Sequence, residues 1–140
     1  MLIRLATLQD IASLIDIDTY VMIDPIRGQQ IQNWVTNQSC YLAEEKGEVQ
    51  GYGVLHYHFF GCGFIEMVMV AERFRHQGVG HALLNELKEI CHHPKLFTST
   101  NQSNLLMQKL LLRVGFIPSG QIDNLDDNDP EIIFYQNKNV

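Results

Sequence analysis

The fold is decided by residues Glu66–Leu84, which read EMVMVAERFRHQGVGHALL. The stretch opens with an apolar pattern typical of a strand and continues through a short basic turn that contains Gly78 and Gly80. Apolar residues then recur at helical spacing, at Val79, Leu83, Leu87 and Ile90. The stretch therefore predicts a strand, a glycine turn and a helix in direct succession.

The predicted start of this helix is a candidate anion site. The first turn of a helix has unpaired N–H groups and a partial positive charge, so the amides from Gln77 to His81 can point at a phosphate. Two common phosphate loops are excluded by the sequence. His81 stands where a P-loop needs lysine, and Leu83 stands where the dinucleotide fingerprint needs its third glycine.

The spacing Arg75-x-x-Gly78-x-Gly80, preceded on the strand by Val68-x-Val70, resembles the acyl-CoA loop of the GNAT superfamily of small N-acetyltransferases. The usual form is Leu/Val-x-Val-x-Pro-x-x-Arg/Gln-x-x-Gly-x-Gly/Ala, with a proline where this chain has a glutamate. A second stretch extends the resemblance, because the superfamily commonly reads Asn-x-x-Ala-x-x-Leu-Tyr-x-x-x-Gly-Phe. The chain's residues at those places are Asn104, Met107, Leu110, Leu111, Gly115 and Phe116.

The flanking patterns complete the predicted order of elements, β-α-α-β-β-β-α-β-α-β-β. Asp24 and Pro25 predict the start of the second helix, as cap and first helical residue. A turn at residues 61–63 is expected to join the third and fourth strands. The fold class is therefore α/β, a GNAT-like sandwich of about seven strands in a mixed, largely antiparallel sheet with four helices on its two faces. The resemblance implies the same order.

Length and composition restrict the classes of protein. A chain of 140 residues predicts one domain, residues 1–140. No apolar run approaches the roughly 20 residues of a membrane span, and the N-terminus turns polar too soon for a secretory signal, so we expect a cytoplasmic protein without membrane association. The formal net charge of −6 argues against nucleic acid as a partner.

The cysteines and histidines give little sign of a metal site. Cys40, Cys62 and Cys91 are odd in number and lack zinc spacing. His56 and His58 lie two residues apart on the predicted third strand, which suits metal ligands, but no third ligand has suitable spacing. Histidines on a half-solvated sheet face are the alternative interpretation, and no metal is expected.

The resemblance implies acetyl-CoA as co-substrate and assigns residues to it. Pantetheine would lie along the fourth strand beside Val68, Met69 and Val70. The backbone amide of Met69 or Val70 would polarise the thioester carbonyl. Arg75 would add charge next to the pyrophosphate. The remaining cofactor-binding candidates are His76, Gln77, Gly78, Val79, Gly80, His81 and Asn104.

Glu66 is the candidate general base, because it is a lone carboxylate in an apolar strand two residues before Val68. Members of the superfamily often carry a carboxylate there, acting directly or through water. Burial in the strand would make it a stronger base. The alternative is a solvated residue at a strand edge, with no part in catalysis.

Leu111 departs from the superfamily, which often has a tyrosine there that protonates the leaving thiolate. Leucine has no proton to give, so water, Ser103 or Tyr135 would have to substitute. A nucleotide-phosphate binder unrelated to CoA is one interpretation of the loop, although the chain lacks the lysine or acidic partners that such sites use. Two functions that use the loop for acyl-CoA also stay open. One is an N-acetyltransferase that acts on a primary amine by direct attack in a ternary complex. The other is a catalytically impaired acyl-CoA-binding sensor or regulatory module.

The acidic segment 123–131 suggests the chemistry of the acceptor, since the resemblance places this loop beside the acceptor site. A small-molecule or peptide amine of positive charge would be attracted there, such as a polyamine, an aminoglycoside-like amine, a lysine or a protein N-terminus. A solvated charged turn is the alternative. Both a monomer and a homodimer are compatible with the sequence.

Overall fold

A computed structural model describes residues 1–139 as a mixture of strands and helices. The strands are β1 (Leu2–Leu5), β2 (Cys40–Glu45), β3 (Glu48–Phe59), β4 (Cys62–Val70), β5 (Lys95–Asn101), β6 (Ile117–Ile122) and β7 (Glu131–Asn137). The helices are α1 (Ile11–Ile17), α2 (Arg27–Thr36), α3 (Val79–Ile90) and α4 (Leu105–Arg113), with short 3-10 turns at Leu8–Asp10 and Glu72–Phe74.

The seven strands form one sheet in the order β1-β2-β3-β4-β5-β7-β6. Pairs β1–β2, β2–β3, β5–β7 and β6–β7 are antiparallel. Pair β4–β5 is parallel and joins Gly63–Ile65 with Leu96–Thr98. A parallel pair needs a long crossover connection, and α3 lies within this one. The predicted fold class and order of elements are confirmed.

Two predicted boundaries are wrong. The turn between β3 and β4 is formed by Phe60 and Gly61, and not by residues 61–63, because both have positive φ (54° and 76°) as a tight two-residue hairpin requires. Helix α2 begins at Arg27 and not at Pro25. The Asp24 carboxylate accepts from the N–H of Ile26 at 3.1 Å, so it caps a turn that precedes the helix.

The chain divides into two compact units. The first unit is residues 1–55 and 67–87, and the second unit is residues 56–66 together with the chain from Lys88 onward. The expectation of a single domain stays a prediction. Within residues 1–139 no helix combines the length and apolar character that a membrane crossing demands.

The first unit has a core on both sides of its strands. Helices α1 and α2 pack on one face through Leu14, Ile31 and Trp34, against strand residues that include Leu42. The next residue along β2, Ala43, belongs to a second cluster with Val79 and Leu83 of α3. Because successive strand residues point to opposite faces, α3 covers the face opposite α1 and α2.

Two glycines of β3 allow α3 to approach the strands closely. A Cβ at Gly51 would lie 2.7 Å from the carbonyl oxygen of Met69 and 3.2 Å from Leu83. A Cβ at Gly53 would lie 2.6 Å from Leu87, a fully buried side chain. A larger residue at Gly51 would displace the backbone at Met69 or the side chains of α3, so this glycine keeps the start of α3 close to the end of β4.

The second unit contains β5, β6, β7 and α4. Its buried residues include Leu96, Leu111, Phe116 and Phe134, each at most 1% exposed. Helix α4 follows Asn104, which is its N-cap. Strand β6 is an edge of the sheet, and all six of its residues are exposed.

We predict that Gly51→Ala lowers the free energy of unfolding by about 1–3 kcal/mol, the usual cost of overpacking. The added methyl group meets a backbone carbonyl that cannot rotate away. Gly28→Ala in α2 is the matched control, since no atom lies within 4 Å of its Cβ position. Alanine should stabilise that helix by about 0.5–1 kcal/mol. Urea denaturation measures both values, and equal stability of the two variants would contradict the close packing at Gly51.

Candidate active site

The glycine turn lies in the first unit, between the end of β4 and the start of α3. His76 and Gly78 have positive φ (63° and 87°), and both are exposed. No atom lies within 4 Å of a Cβ position at Gly78. The turn therefore leaves open space beside its backbone, which a bound group can occupy.

Helical hydrogen bonding in α3 begins at this turn. The N–H of Ala82 donates to the carbonyl of Gly78 at 3.0 Å. The N–H groups of Val79, Gly80 and His81 come before that first bond, so the helix offers them no acceptor. The buried side chain of Val79 fixes the turn by packing in the cluster with Leu83. A set of unpaired donors at a helix start suits a phosphate.

Arg75 links the turn to the end of β4. Its Nε donates to the carbonyl of Val70 at 3.1 Å, and one terminal nitrogen lies 3.5 Å from the hydroxyl of Thr19 and 4.0 Å from the sulfur of Met69. Arg73, in contrast, pairs with Glu48 and lies over the ring of Phe74. Arg75 is thus the cation that is fixed beside Met69 and Val70.

The other side chains of the turn have local partners. The amide of Gln77 donates to the carbonyl of Arg73 at 3.1 Å. The Nδ1 atom of His81 lies 3.2 Å from the side-chain amide nitrogen of Asn85. These contacts restrain the two side chains and leave the backbone of the turn uncovered.

Thr19 follows a buried carboxylate that the sequence did not reveal. Asp18 accepts from Arg27 at 3.0 Å, from the hydroxyl of Tyr52, and from the N–H of Tyr20 at 2.7 Å. Burial, followed by the bond to Asp18, raises the pKa of Tyr52, so the phenol keeps its proton and stays a donor. This network holds the connection between α1 and α2, and with it Thr19 next to Arg75.

In the second unit, Glu66 pairs with His56. The Nε2 atom of His56 lies 3.1 Å from an oxygen of Glu66, and the two side chains are 18% and 39% exposed. Of the two interpretations of Glu66, exposure to solvent is observed and burial in the strand is not. The observed partner of this carboxylate is a histidine, and its role as general base stays a prediction.

Half-buried aromatic rings extend from this pair across the second unit. His56 contacts Phe64 at 5.5 Å between ring centroids, and Phe97 contacts Tyr135 at 5.0 Å. Phe64 and Phe97 are paired residues of β4 and β5, and Phe97 and Tyr135 are paired residues of β5 and β7. The rings therefore share one face of the sheet.

The acidic loop between β6 and β7 borders a cavity of about 480 Å³ in the second unit. Two of its carboxylates hold it to neighbouring elements, since Asp126 accepts from Asn101 at 2.8 Å and Asp129 accepts from the hydroxyl of Ser103 at 2.7 Å. The cavity is lined by Asp123, Asn124, Asp126, Asp127, Asn128, Asp129 and Pro130. Its lining favours a cation.

Three residues of the second unit bear on the expected leaving-group chemistry. Asn104 caps α4, with its side-chain oxygen accepting from the N–H of Met107 at 3.1 Å, and its assignment to cofactor binding stays a prediction. Leu111 is fully buried. The single hydroxyl proton of Ser103 is donated to Asp129, so Ser103 is poorly placed to give it to a thiolate.

The structure thus brings Arg75 together with Met69, Val70 and the turn, and it brings Glu66 together with His56. The sequence missed Thr19 and His56 as neighbours of the site. The sequence predicted a turn between the strands of His56 and Glu66, but the turn was misplaced, and nothing indicated that these two side chains would meet. Within residues 1–139 no three His, Cys, Asp or Glu side chains cluster as a metal ligand set would.

Comparisons with known proteins give a consistent result. The model of the acetyltransferase (GNAT) family matches residues 8–116. A GNAT-family acetyltransferase from Bacillus cereus ATCC 10987 is 34% identical, with a TM-score of 0.91 over 98% of this chain and 96% of that one. A search of curated proteins found no match.

Two further structures share the fold. The ribosomal-protein-alanine N-acetyltransferase from Brucella melitensis is 22% identical, with a TM-score of 0.83 over 98% of this chain and 99% of that one. The protein yncA from Salmonella typhimurium, solved with its cofactor acetyl-CoA, is 18% identical, with a TM-score of 0.78 over 98% and 93%.

We predict that the buried network around Asp18 contributes strongly to stability. Tyr52→Phe removes one of its donors and should lower the free energy of unfolding by about 1–3 kcal/mol. Arg27→Met leaves the carboxylate without its cation and should cost about 3–5 kcal/mol. Fluorescence of the chain's one tryptophan, Trp34, follows the urea unfolding of each variant.

Tyr41→Phe is the matched control for Tyr52→Phe. Tyr41 is a half-buried residue of β2 whose phenol makes no hydrogen bond within residues 1–139. Removal of the Tyr41 hydroxyl should change the free energy of unfolding by less than about 0.5 kcal/mol. Equal losses at the two tyrosines would mean that the bond to Asp18 contributes nothing.

Proposed function

This chain belongs to the acetyltransferase (GNAT) family, and on that premise we propose that it is an acetyl-CoA-dependent N-acetyltransferase that acts on a primary amine by direct transfer in a ternary complex. The observation that carries the proposal is the open start of α3. There an exposed glycine turn, free helix amides and Arg75 meet at the end of β4.

The residues of the turn fit the pyrophosphate of acetyl-CoA. A phosphate oxygen can accept from the amides of Val79, Gly80 and His81, and the space at Gly78 admits it to the backbone. Arg75 supplies the charge, since its fork keeps N–H groups beyond the one bonded to Val70. Pantetheine would then follow Val68 to Val70 along β4.

Glu66 is the proposed general base. A protonated amine first gives one proton to water. As the neutral nitrogen then bonds to the thioester carbon, the carbon–sulfur bond breaks, the sulfur leaves as a thiolate, and a second amine proton passes to Glu66, directly or through water. An exposed carboxylate can then return that proton to solvent. An amide of Met69 or Val70 would polarise the carbonyl oxygen as negative charge develops on it.

Water is the proposed proton donor to the departing thiolate. Leu111 is enclosed in the core and has no proton to give, and the hydroxyl proton of Ser103 is engaged by Asp129. A thiol of ordinary pKa, about 8.5, releases a tolerable leaving group without prior protonation. Tyr135 is half-buried against Phe97 and is the remaining protein alternative.

The acceptor is proposed to be cationic. Glu66 and the carboxylates of the β6–β7 loop belong to the same unit, and the chain carries a formal net charge of −6. Attraction to these carboxylates would raise the local concentration of a protonated amine. The panel of acceptors to test is spermidine, an aminoglycoside, a lysine peptide and a peptide with N-terminal alanine, the residue named for the Brucella melitensis relative.

A second function is an acyl-CoA-binding sensor that does not turn over. It is favoured by Leu111, a buried residue with no proton to give at the place where the superfamily often has a tyrosine. Such a protein would bind acetyl-CoA through the same turn and release no thiol with any amine. Turnover separates the two functions, since binding is common to both.

We predict that Arg75→Gln weakens acetyl-CoA binding about tenfold or more, because a charge-assisted hydrogen bond is worth about 1.5–3 kcal/mol. Arg73→Gln is the matched control. It removes the same charge two residues along the chain, from a side chain that is paired with Glu48. Calorimetric titration measures both. Equal effects would point to general charge attraction and would contradict a direct role for Arg75.

We predict amine-dependent release of free thiol from acetyl-CoA, lowered by ~10²–10⁴-fold in Glu66→Gln. The dissociation constant for acetyl-CoA should not change in this variant. Binding without turnover on every amine would favour the sensor. If acetyl-CoA fails to raise the thermal midpoint of unfolding, both functions are excluded.

A further inference from the structure

His56 and Glu66 stand on the two strands of one hairpin, β3 and β4, within the second unit. Their contact joins His56 Nε2 to Glu66 Oε1 at 3.1 Å, within hydrogen-bond range. The family resemblance assigns no role to a residue at position 56. The role of the contact therefore has to follow from the geometry of the two side chains.

The geometry determines which nitrogen of His56 carries the proton. The backbone N–H of His58 donates to His56 Nδ1 at 3.1 Å, so Nδ1 must be the unprotonated acceptor. The one proton of the neutral ring then lies on Nε2, and it points at Glu66. Neutral His56 is thus a hydrogen-bond donor to the carboxylate.

The surroundings of the ring favour this neutral form. His58 stacks on it at 5.3 Å and Phe64 contacts it at 5.5 Å between centroids. Burial lowers the pKa of His56, the adjacent Glu66 opposes that shift, and His58 adds to it. Around neutral pH the ring is therefore uncharged.

The same geometry excludes His56 as the base itself. Its Nε2 already carries a proton, and its Nδ1 faces an N–H donor, so neither nitrogen can take a proton from an amine without breaking an existing bond. Glu66 keeps its second oxygen for the substrate. A carboxylate held at one oxygen loses rotational freedom, and the other oxygen gains a defined direction.

We propose that His56 is a positioning residue that orients the Glu66 carboxylate towards the acceptor amine through its Nε2–H. This inference rests on the proposed function, since it requires Glu66 to be the base. His56 touches neither substrate and acts only through Glu66. Its loss lowers the rate of proton removal and leaves acetyl-CoA binding unchanged.

The test compares substitutions at His56. His56→Phe keeps a ring between His58 and Phe64 but has no donor. His56→Gln can place an amide N–H where Nε2 was, whereas His56→Asn is one carbon too short. His92→Phe is the control, because His92 is stacked on Tyr57 at 4.0 Å in the same unit.

We expect His56→Phe and His56→Asn to lower kcat/KM for the amine by about 10- to 100-fold, the usual effect of losing an orienting partner. The dissociation constant for acetyl-CoA should stay unchanged in both variants. His56→Gln should recover most of the rate. His92→Phe should match the wild type.

Combining each change with Glu66→Gln separates the inference from the proposed function. If His56 acts through Glu66, His56→Phe costs nothing further in the Glu66→Gln background. Additive losses of kcat/KM would overturn the inference and leave the function standing. A wild-type kcat/KM in His56→Phe, with Glu66→Gln inactive, would do the same. Full activity of Glu66→Gln would instead overturn the function.

A second measurement needs no acceptor. Nitrogen-15 NMR of the imidazole rings, with His56 assigned through His56→Gln, should show a neutral ring at pH 7 with the proton on Nε2. It should become charged only below the ordinary value of 6.5. A proton on Nδ1, or a charged ring at pH 7, would overturn the inference without reference to activity.

Discussion

The close packing of α3 on β3 is the constraint on which the candidate site depends. Gly51 lies so near the carbonyl of Met69 and the side chain of Leu83 that no Cβ fits between them. This contact fixes the end of β4 and the start of α3 within one rigid cluster, which Val79 completes. The glycine turn, which joins the two, therefore has little freedom. Its exposed amides are preorganised for an anion because the residues on either side are buried.

A second constraint acts through charge. Asp18 is buried with Arg27 and Tyr52 as its donors, and it fixes the connection in which Thr19 lies next to Arg75. Burial of a carboxylate is costly, and it is tolerated here because the Asp18 oxygens accept hydrogen bonds from these donors. The result is a cation held at the end of β4 from two sides, by Val70 and by Thr19.

Much of the fold was predictable because periodic patterns report on burial. The helix at Val79 to Ile90 follows from the spacing of its apolar residues, and it is observed. The hairpin turn was not predictable, since Phe60 is an unusual residue for a position with positive φ. With the turn misplaced, the partner of Glu66 across the hairpin was not predictable either. The network at Asp18 joins residues 34 positions apart, beyond the reach of any local pattern.

The candidate site likewise has one part that the sequence predicts and one part that it does not. The glycine turn is a local feature, so its residues could be named from sequence, although their role in binding stays a prediction. The surroundings of Glu66 depend on tertiary structure, and the sequence left burial and solvation of this carboxylate open, whereas the structure shows it half-exposed with a histidine partner. Side chains that act through long-range neighbours require coordinates, whereas backbone sites at helix starts do not.

The central claim is that the start of α3 binds the pyrophosphate of coenzyme A. Titration of the nitrogen-15-labelled protein with coenzyme A tests it most directly, by following the amide signal of each residue. If the pyrophosphate binds there, the largest changes fall on Gly78 to His81. Changes confined to the acidic loop at residues 123–131, or no changes at all, would contradict it.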